Sequence, residues 1–310
     1  MPLYRAYGLA LDYPEALQYP LPLAASRPAI TIRPADLRVP ASDPCFVSPW
    51  GWQDVPSITV RRCPEGLHLQ LYSCDYLLRA DSIGYRDWPE PDPDLRATQL
   101  LGAVMSVWFE ANGAAAIHAS SVEVNGRAVL FLASQSGGKS TLAAGLTRCG
   151  LHLHADDVAI LQRTPTGIGV RPGFAAMRLW PTSVERLSLD AGSMPLVHPR
   201  AEKRIASAKR LGASFTDRVL PLGEVFLPER RENAALAMQP LPGSASIIEL
   251  VRHSFSARLV EAMGWQPGRM SLLAEAAARA PVTRLTVPDG LNHLDDACRA
   301  IAARLREGMA

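Results

Sequence analysis

Residues 128–157 read AVLFLASQSGGKSTLAAGLTRCGLHLHADD, and no other stretch constrains the fold as tightly. The apolar run over 128–132 predicts a strand covered on both faces, because it does not alternate with polar residues. It feeds a loop where Ser136, Gly137 and Gly138 let backbone N–H groups approach phosphate oxygens. Lys139 then supplies a point charge and Ser140 a hydroxyl suited to Mg2+. The predicted cradle is Ser134, Gln135, Ser136, Gly137, Gly138, Lys139, Ser140 and Thr141. A helix predicted over 140–149 turns its positive end to the same anion, and Gly150 suits its C′ stop. A second strand over 151–155 ends on Asp156 and Asp157. Together these parts predict a nucleoside triphosphate site.

Asn125-Gly126 lies between apolar runs at 115–124 and 127–133, the pattern of a type I′ hairpin. Facing residues in such a hairpin share the index sum 251, so His118 falls opposite Ala133 at the entry of the loop. His118 is therefore read as functional, contacting phosphate or tuning the neighbouring carboxylate. Two successive acids at a strand end allow a division of labour, one for Mg2+ and one as a base for an incoming hydroxyl. His152 and His154 share a strand face without a third ligand and are read as structural.

Residues 1–94 are dense in proline, which leaves room for short strands and turns. Strands are predicted over 29–33, 57–62, 67–73 and 76–80, making a small β-rich N-terminal lobe. Trp50 and Trp52 are read as aromatic packing within it. The acidic, proline-rich segment 88–94 is the expected boundary, with the second domain covering 95–310. That domain should open on a helix over 95–110 whose apolar face carries Leu100, Leu101, Val104, Val107 and Trp108. Beyond Asp157 the pattern predicts a hairpin of strands 159–163 and 168–171. Arg171 and Arg178 follow, equally readable as phosphate clamps or solvated cations. A helix capped by Thr182, a basic lid over 198–204 and a strand over 222–227 come next. Helices over 245–259 and 270–278, a strand over 281–287 and an amphipathic helix over 291–305 complete the chain.

The net charge of +2 and scattered arginines argue against nucleic acid or an anionic membrane as partner. No apolar run reaches spanning length and the first residues do not form a secretory signal, so a cytoplasmic location is expected. Five cysteines without a C-x-x-C pair suggest reduced thiols.

The sequence Ile117-His118-Ala119-Ser120, an Asn-Gly hairpin, the phosphate loop, a short helix and Ala155-Asp156-Asp157 resembles the catalytic domain of HPr kinase/phosphorylase. The likeness is closer to relatives in lasso-peptide biosynthetic clusters, which phosphorylate a precursor peptide on its C-terminal Ser. It is concentrated in residues 115–160. The resemblance implies an α/β fold: a P-loop kinase domain of the HPr kinase/phosphoenolpyruvate carboxykinase-like type behind a small β-rich N-terminal lobe. It implies ATP and Mg2+ as cofactors and a peptide or protein carrying an acceptor Ser as partner. Asp156 would take the acceptor proton, Asp157 and Ser140 would hold Mg2+, Lys139 would hold the β- and γ-phosphates, and His118 would lie near the transferred group. The related kinase's hexamers point to a homo-oligomer. The family's loop reads G-x-S-G-x-G-K-[ST]; here Ala133 stands where Gly is expected, and Ser136 or a one-residue shift replaces another Gly. A Cβ costs about 1 kcal/mol wherever such a position requires φ > 0. The glutamate-containing signature of HPr kinase has no counterpart here, which argues against HPr as substrate. A nucleotide-binding regulatory protein and a small-metabolite kinase are the alternative readings of the same residues.

Overall fold

The computed structural model describes residues 2–52, 55–134, 137–198 and 201–308. It is a mixed α/β structure with two large sheets. The elements around the phosphate loop are β1 (Ala115–Ile117), β2 (Ala119–Val124), β3 (Arg127–Leu132), α1 (Lys139–Arg148), β4 (His152–Ala155), β5 (Ala159–Thr164), β6 (Gly167–Arg171), β7 (Leu220–Arg231), β8 (Val282–Pro288) and α2 (Leu294–Gly308). They build a nine-stranded sheet ordered β1-β5-β6-β7-β3-β2-β4, with β8 paired to β7 and the strand Ala237–Pro240 paired to β8.

Asn125 (φ 47°) and Gly126 (φ 76°) both occupy the left-handed region, as a type I′ turn requires. The hairpin register runs Val124↔Arg127 to Ala119↔Leu132 with the expected constant sum. His118 falls just outside this ladder, at the point where the chain leaves β5 for β3. Strands β3, β7 and β8 are mutually parallel, and β2 is antiparallel to both β3 and β4. The C-terminal ends of β3, β4, β7 and β8 therefore emerge on one edge, together with the start of β2. Ligands of open α/β sheets bind along such an edge.

Both faces of this sheet are covered, which explains the unbroken apolar run in β3. Val129 and Phe131 pack with Leu142, Leu146, Ile301 and Leu305 of α1 and α2. Ala128, Leu130 and Leu132 face Leu250, Leu272, Leu273 and Ala276 from helices Gly243–Arg252 and Gln266–Arg279. Each fully buried Leu or Phe contributes about 1.5–3 kcal/mol. Helices α1 and α2 approach closely because Gly145 has no side chain; a Cβ there would lie 2.5 Å from Cys298 Sγ.

The N-terminal region forms an eight-stranded sheet. Its strands include Ile30–Pro34, Thr59–Cys63, Gly66–Gln70 and Cys74–Leu78, close to the predicted positions. Leu3–Ala6, Leu9–Asp12 and Ser82–Asp87 were not predicted. The opening hairpin turns through Tyr7 (φ 56°) and Gly8 (φ 68°), and a tyrosine in the left-handed region gives no ordinary turn signal. The helical run Pro93–Gln99, a π-turn at Leu100–Val104 and Met105–Ala111 then carries the apolar face inward. One core cluster contains Ile30, Leu69 and Tyr76 of the N-terminal sheet and Tyr13 just past its second strand. It also contains Leu100, Val104 and Phe109 of the helix, and Phe174, Ile205 and Leu259 beyond it. The compositional break at 88–94 is thus crossed by continuous packing.

Four local expectations are corrected. Trp50 is 65% exposed with the Arg258 guanidinium stacked 4.7 Å from its ring centroid, whereas Trp52's side chain lies outside the described residues. The helix predicted over 245–259 is broken into Gly243–Arg252 and Ala257–Ala262. The short helix Pro181–Arg186 is preceded by Trp180 at the N-cap, so Thr182 lies inside it. Of the basic stretch 198–204, the last residue, Arg204, begins the strand Arg204–Ser207, paired with Ala176–Leu179, and so is not free. No helix among the described residues is long and apolar enough to cross a membrane.

Candidate active site

Lys139 is the first residue of α1, and Gly138 before it has φ 85°. The chain doubles back at this point: a Cβ on Gly137 would lie 2.6 Å from the Cβ of Ala133. Ala133 itself is not in the left-handed region and carries no backbone strain, so its methyl is tolerated provided residue 137 lacks one. Gln135 and Ser136 lie outside the described residues, while Ser134 is exposed and does not line the neighbouring cavity. The Lys139 ammonium is buried and donates to the carbonyls of Ala133 (2.8 Å) and Ser134 (3.2 Å). Burial lowers its pKa, opposed by the charges of Asp156 and Asp157. Ser140 is half-buried on the cavity wall. Thr141 Oγ1 is hydrogen-bonded to Ser183 Oγ at 2.7 Å, tying α1 to the next wall.

His118 is held in the gap between β1 and β2 by the same break that interrupts the predicted 245–259 helix. Its N–H donates to His253 O at 2.8 Å, and Phe255 sits edge-on to its ring at 6.0 Å. Nδ1 lies 2.9 Å from the backbone oxygen of Asp157, a partner that can only accept. The proton is therefore on Nδ1, leaving Nε2 as an acceptor. Burial lowers the His118 pKa, aided by the Lys139 charge and opposed by Asp157 and Asp156.

The two acids differ sharply. Asp156 is 4% exposed; Oδ1 accepts from Ser120 Oγ (2.7 Å) and Oδ2 from the backbone N–H of Arg178 (2.8 Å). It does not line the cavity. Asp157 does, from a left-handed backbone (φ 69°) that turns its side chain toward Arg178 Nη1, 2.6 Å from Oδ2. Oδ1 stands 3.7 Å from His118 Nδ1. Burial would raise the Asp157 pKa, but Arg178 above all, then His118, Lys203 and Lys139, hold it below the usual range. The expected base thus has both oxygens engaged, and the carboxylate presented to a ligand is Asp157.

His118, Gly137, Gly138, Lys139, Ser140, Thr141 and Asp157 line one cavity of about 630 Å3. Sequence reasoning left Arg178 undecided: it lines the cavity, whereas Arg171 binds Gln162 and the carbonyl of Tyr7. Lys203, 5.2 Å above the Trp180 ring, closes the same wall with Glu202. Ser120, part of the Ile117-His118-Ala119-Ser120 motif, has the role of anchoring Asp156, which the motif alone does not assign, and the apolar wall from β8 to α2 carries no local motif. The arrangement offers backbone donors and a cation for phosphate, with hard oxygen donors for a divalent ion. Among the described residues no group of three or more His, Cys, Asp or Glu could hold a metal. Ser140 and Asp157 both line the cavity, and a Mg2+ ion, which keeps waters and phosphate oxygens in its shell, needs only one or two such protein oxygens.

No protein-family model matches the chain, and no curated protein matches its sequence. A solved structure of the HPr(Ser) kinase/phosphatase from Coxiella burnetii aligns at 12% identity and a TM-score of 0.33, covering 62% of this chain and 98% of that one.

Proposed function

We propose that this chain is an ATP- and Mg2+-dependent phosphotransferase that moves the γ-phosphoryl group to a hydroxyl, with a Ser of a peptide or protein, such as the C-terminal Ser of a lasso precursor, as acceptor. The observation that carries this reading is the convergence of Lys139, Ser140, His118 and Asp157 on one cavity at the C-terminal edge of parallel strands. Phosphoryl transfer asks little covalent chemistry of a protein; it asks for alignment and charge neutralisation. Gly138 and the start of α1 would direct N–H dipoles at phosphate, while the Gly137 N–H closes the loop onto Ser134 O at 3.0 Å, and Lys139 would leave its loop carbonyls to meet the phosphate. Ser140 and Asp157 would hold Mg2+, whose chemistry is to neutralise charge on the phosphate oxygens. Arg178 keeps Asp157 ionised and fixes one of its oxygens. Asp156 acts as a positioning residue, fastening the β4 end to Ser120 and to the strand bearing Arg178. The ligand-facing carboxylate, Asp157, would also orient the acceptor hydroxyl and take its proton, late in a loose transition state, as the hydroxyl oxygen bonds to the γ-phosphorus and the bond from that phosphorus to the departing ADP oxygen breaks.

The test is incubation with γ-labelled ATP, Mg2+ and peptides carrying an internal or C-terminal Ser. Labelled phosphopeptide supports the reading. Saturable ATP binding with no labelled product under any acceptor would favour a regulatory nucleotide-binding role instead.

A further inference from the structure

Tyr7 has a left-handed backbone (φ 56°) that a tyrosine rarely adopts, and such a conformation persists only where the surrounding structure holds it. Two contacts hold it here, and they reach different parts of the molecule. The Tyr7 N–H donates to Gly173 O at 2.9 Å, and the Gly173 N–H donates in turn to His154 O at 2.8 Å, on β4 just before Asp156. The Tyr7 hydroxyl donates to Leu101 O at 2.5 Å, inside the π-turn at Leu100–Val104. Burial raises the pKa of the phenol, so the hydroxyl keeps its proton and stays a donor. A π-turn widens a helix by one residue and is frequent at functional sites. This one carries Gly102, whose carbonyl accepts from Ser106 Oγ at 2.8 Å.

We propose that this π-turn, locked by Tyr7, positions the active site, because Gly102 leaves open the slot in which the Arg178 guanidinium meets Asp157. The inference rests on the phosphotransferase reading. Neither Gly102 nor Tyr7 lines the cavity, so both are positioning residues. A Cβ on Gly102 would meet Arg178 Nη1 at 3.8 Å and Nη2 at 3.9 Å. The Tyr19 ring centroid stands 5.4 Å from the same guanidinium. Nη1 donates to Asp157 Oδ2 at 2.6 Å, while Nε and Nη2 are buried without a hydrogen-bond partner. A single bond fixes a point and not a plane, so the packing walls decide where the guanidinium points. The Arg178 backbone is set separately, by the bond from its N–H to Asp156. A larger side chain at 102 would therefore tilt the guanidinium off Asp157 while the strand under it stays in place.

The test measures transfer from γ-labelled ATP to a Ser-bearing peptide at saturating Mg2+. Gly102→Leu fills the slot, and Tyr7→Phe releases the turn but keeps the ring. Each is made alone and together with Arg178→Lys, whose narrower head no longer needs the slot, and thermal melts check that each is folded. Positioning predicts that Gly102→Leu lowers kcat by on the order of tenfold while the KM for ATP changes less than about twofold. Tyr7→Phe should lower kcat in the same way but less, and Gly102→Ala, whose methyl reaches only ordinary contact with Arg178, should lose less than Gly102→Leu. On Arg178→Lys, both losses should largely vanish, because they act through the guanidinium. Unchanged kcat in Gly102→Leu and Tyr7→Phe, or the full further loss on Arg178→Lys, overturns the inference. Should Gly102→Leu not fold, Tyr7→Phe decides alone. If the unmodified protein transfers phosphate to no acceptor, the phosphotransferase reading fails and takes the positioning role with it.

Discussion

Asp156 and Asp157 are chain neighbours with opposite surroundings, and substitution should separate them. Asp157→Asn keeps a residue that tolerates the left-handed backbone but removes the charge facing the ligand. Transfer should fall about 10²–10³-fold in a labelled-phosphate assay with the protein still folded. Asp156→Asn keeps an oxygen for the Arg178 N–H but turns an amide donor to Ser120 Oγ, which leaves the buried serine proton without its carboxylate acceptor at a cost of about 1–3 kcal/mol. It should lower the melting temperature clearly. A folded, inactive Asp156→Asn beside an active Asp157→Asn would return the base to Asp156. His154 offers a second residue-scale test. It is buried between Ser121 Oγ (3.2 Å) and Arg218 O (3.0 Å), and burial pushes its pKa down to about 4. Between the unfolded value near 6.5 and about 4, the unfolded chain binds a proton that the folded protein refuses. Its stabilising share is therefore complete above pH 6.5 and lost on acidification toward pH 4, with a slope of about 1.4 kcal/mol per pH unit. His253, also pushed to about 4, adds a similar loss over the same window. Urea melts of the unmodified protein and His154→Gln between pH 7.5 and 4.5 should diverge by one proton; parallel curves would contradict this.

At the scale of elements, the phosphate loop depends on two glycines for different reasons. Gly138 needs its left-handed φ, so Gly138→Ala should cost about 1 kcal/mol and blunt nucleotide binding. Gly137 needs space, and Gly137→Ala should be rescued in part by Ala133→Gly, which removes the methyl it would strike. Paired calorimetric titrations of the single and double variants check this; an equal defect in both would show that Ala133 does not shape the loop. The hairpin was readable in advance because Asn-Gly states its turn type and every later pairing follows by counting. The opening hairpin was not, because Tyr7 adopts its backbone under tertiary contacts with Gly173 and Leu101 that lie far along the chain. Asp156 and Asp157 were placed at the site by strand logic alone. Which of them faces the cavity depends on the left-handed φ of Asp157 and on the hydrogen bond that Ser120 gives Asp156, a partnership between distant residues that spacing alone does not announce.

Across the whole molecule, the N-terminal region supports the site through the loop that carries Tyr19. Tyr19 places its ring 5.4 Å from the Arg178 guanidinium, whose Nε and Nη2 have no hydrogen-bond partner, and bonds to Thr98 Oγ1 at 3.1 Å. Arg178 in turn holds Asp157. Proline density revealed that residues before 88 form short strands, but not that their core continues through Leu100 and Phe109 to Phe174 and Leu259. Residues 95–310 expressed alone should accordingly lack a cooperative thermal transition, because that truncation uncovers one side of a shared core. A sharp transition matching that of the full chain would show that the two parts fold independently.

A cavity that binds a Mg2+-nucleoside triphosphate through Lys139, Ser140 and Asp157 should lose that ligand with the lysine or with the metal. Calorimetric titration of ATP with Mg2+ into the unmodified protein and Lys139→Met tests it without knowledge of the acceptor. Saturable one-site binding that is lost in Lys139→Met and without Mg2+ is the predicted result. Equal binding by both proteins, or binding indifferent to Mg2+, would contradict it.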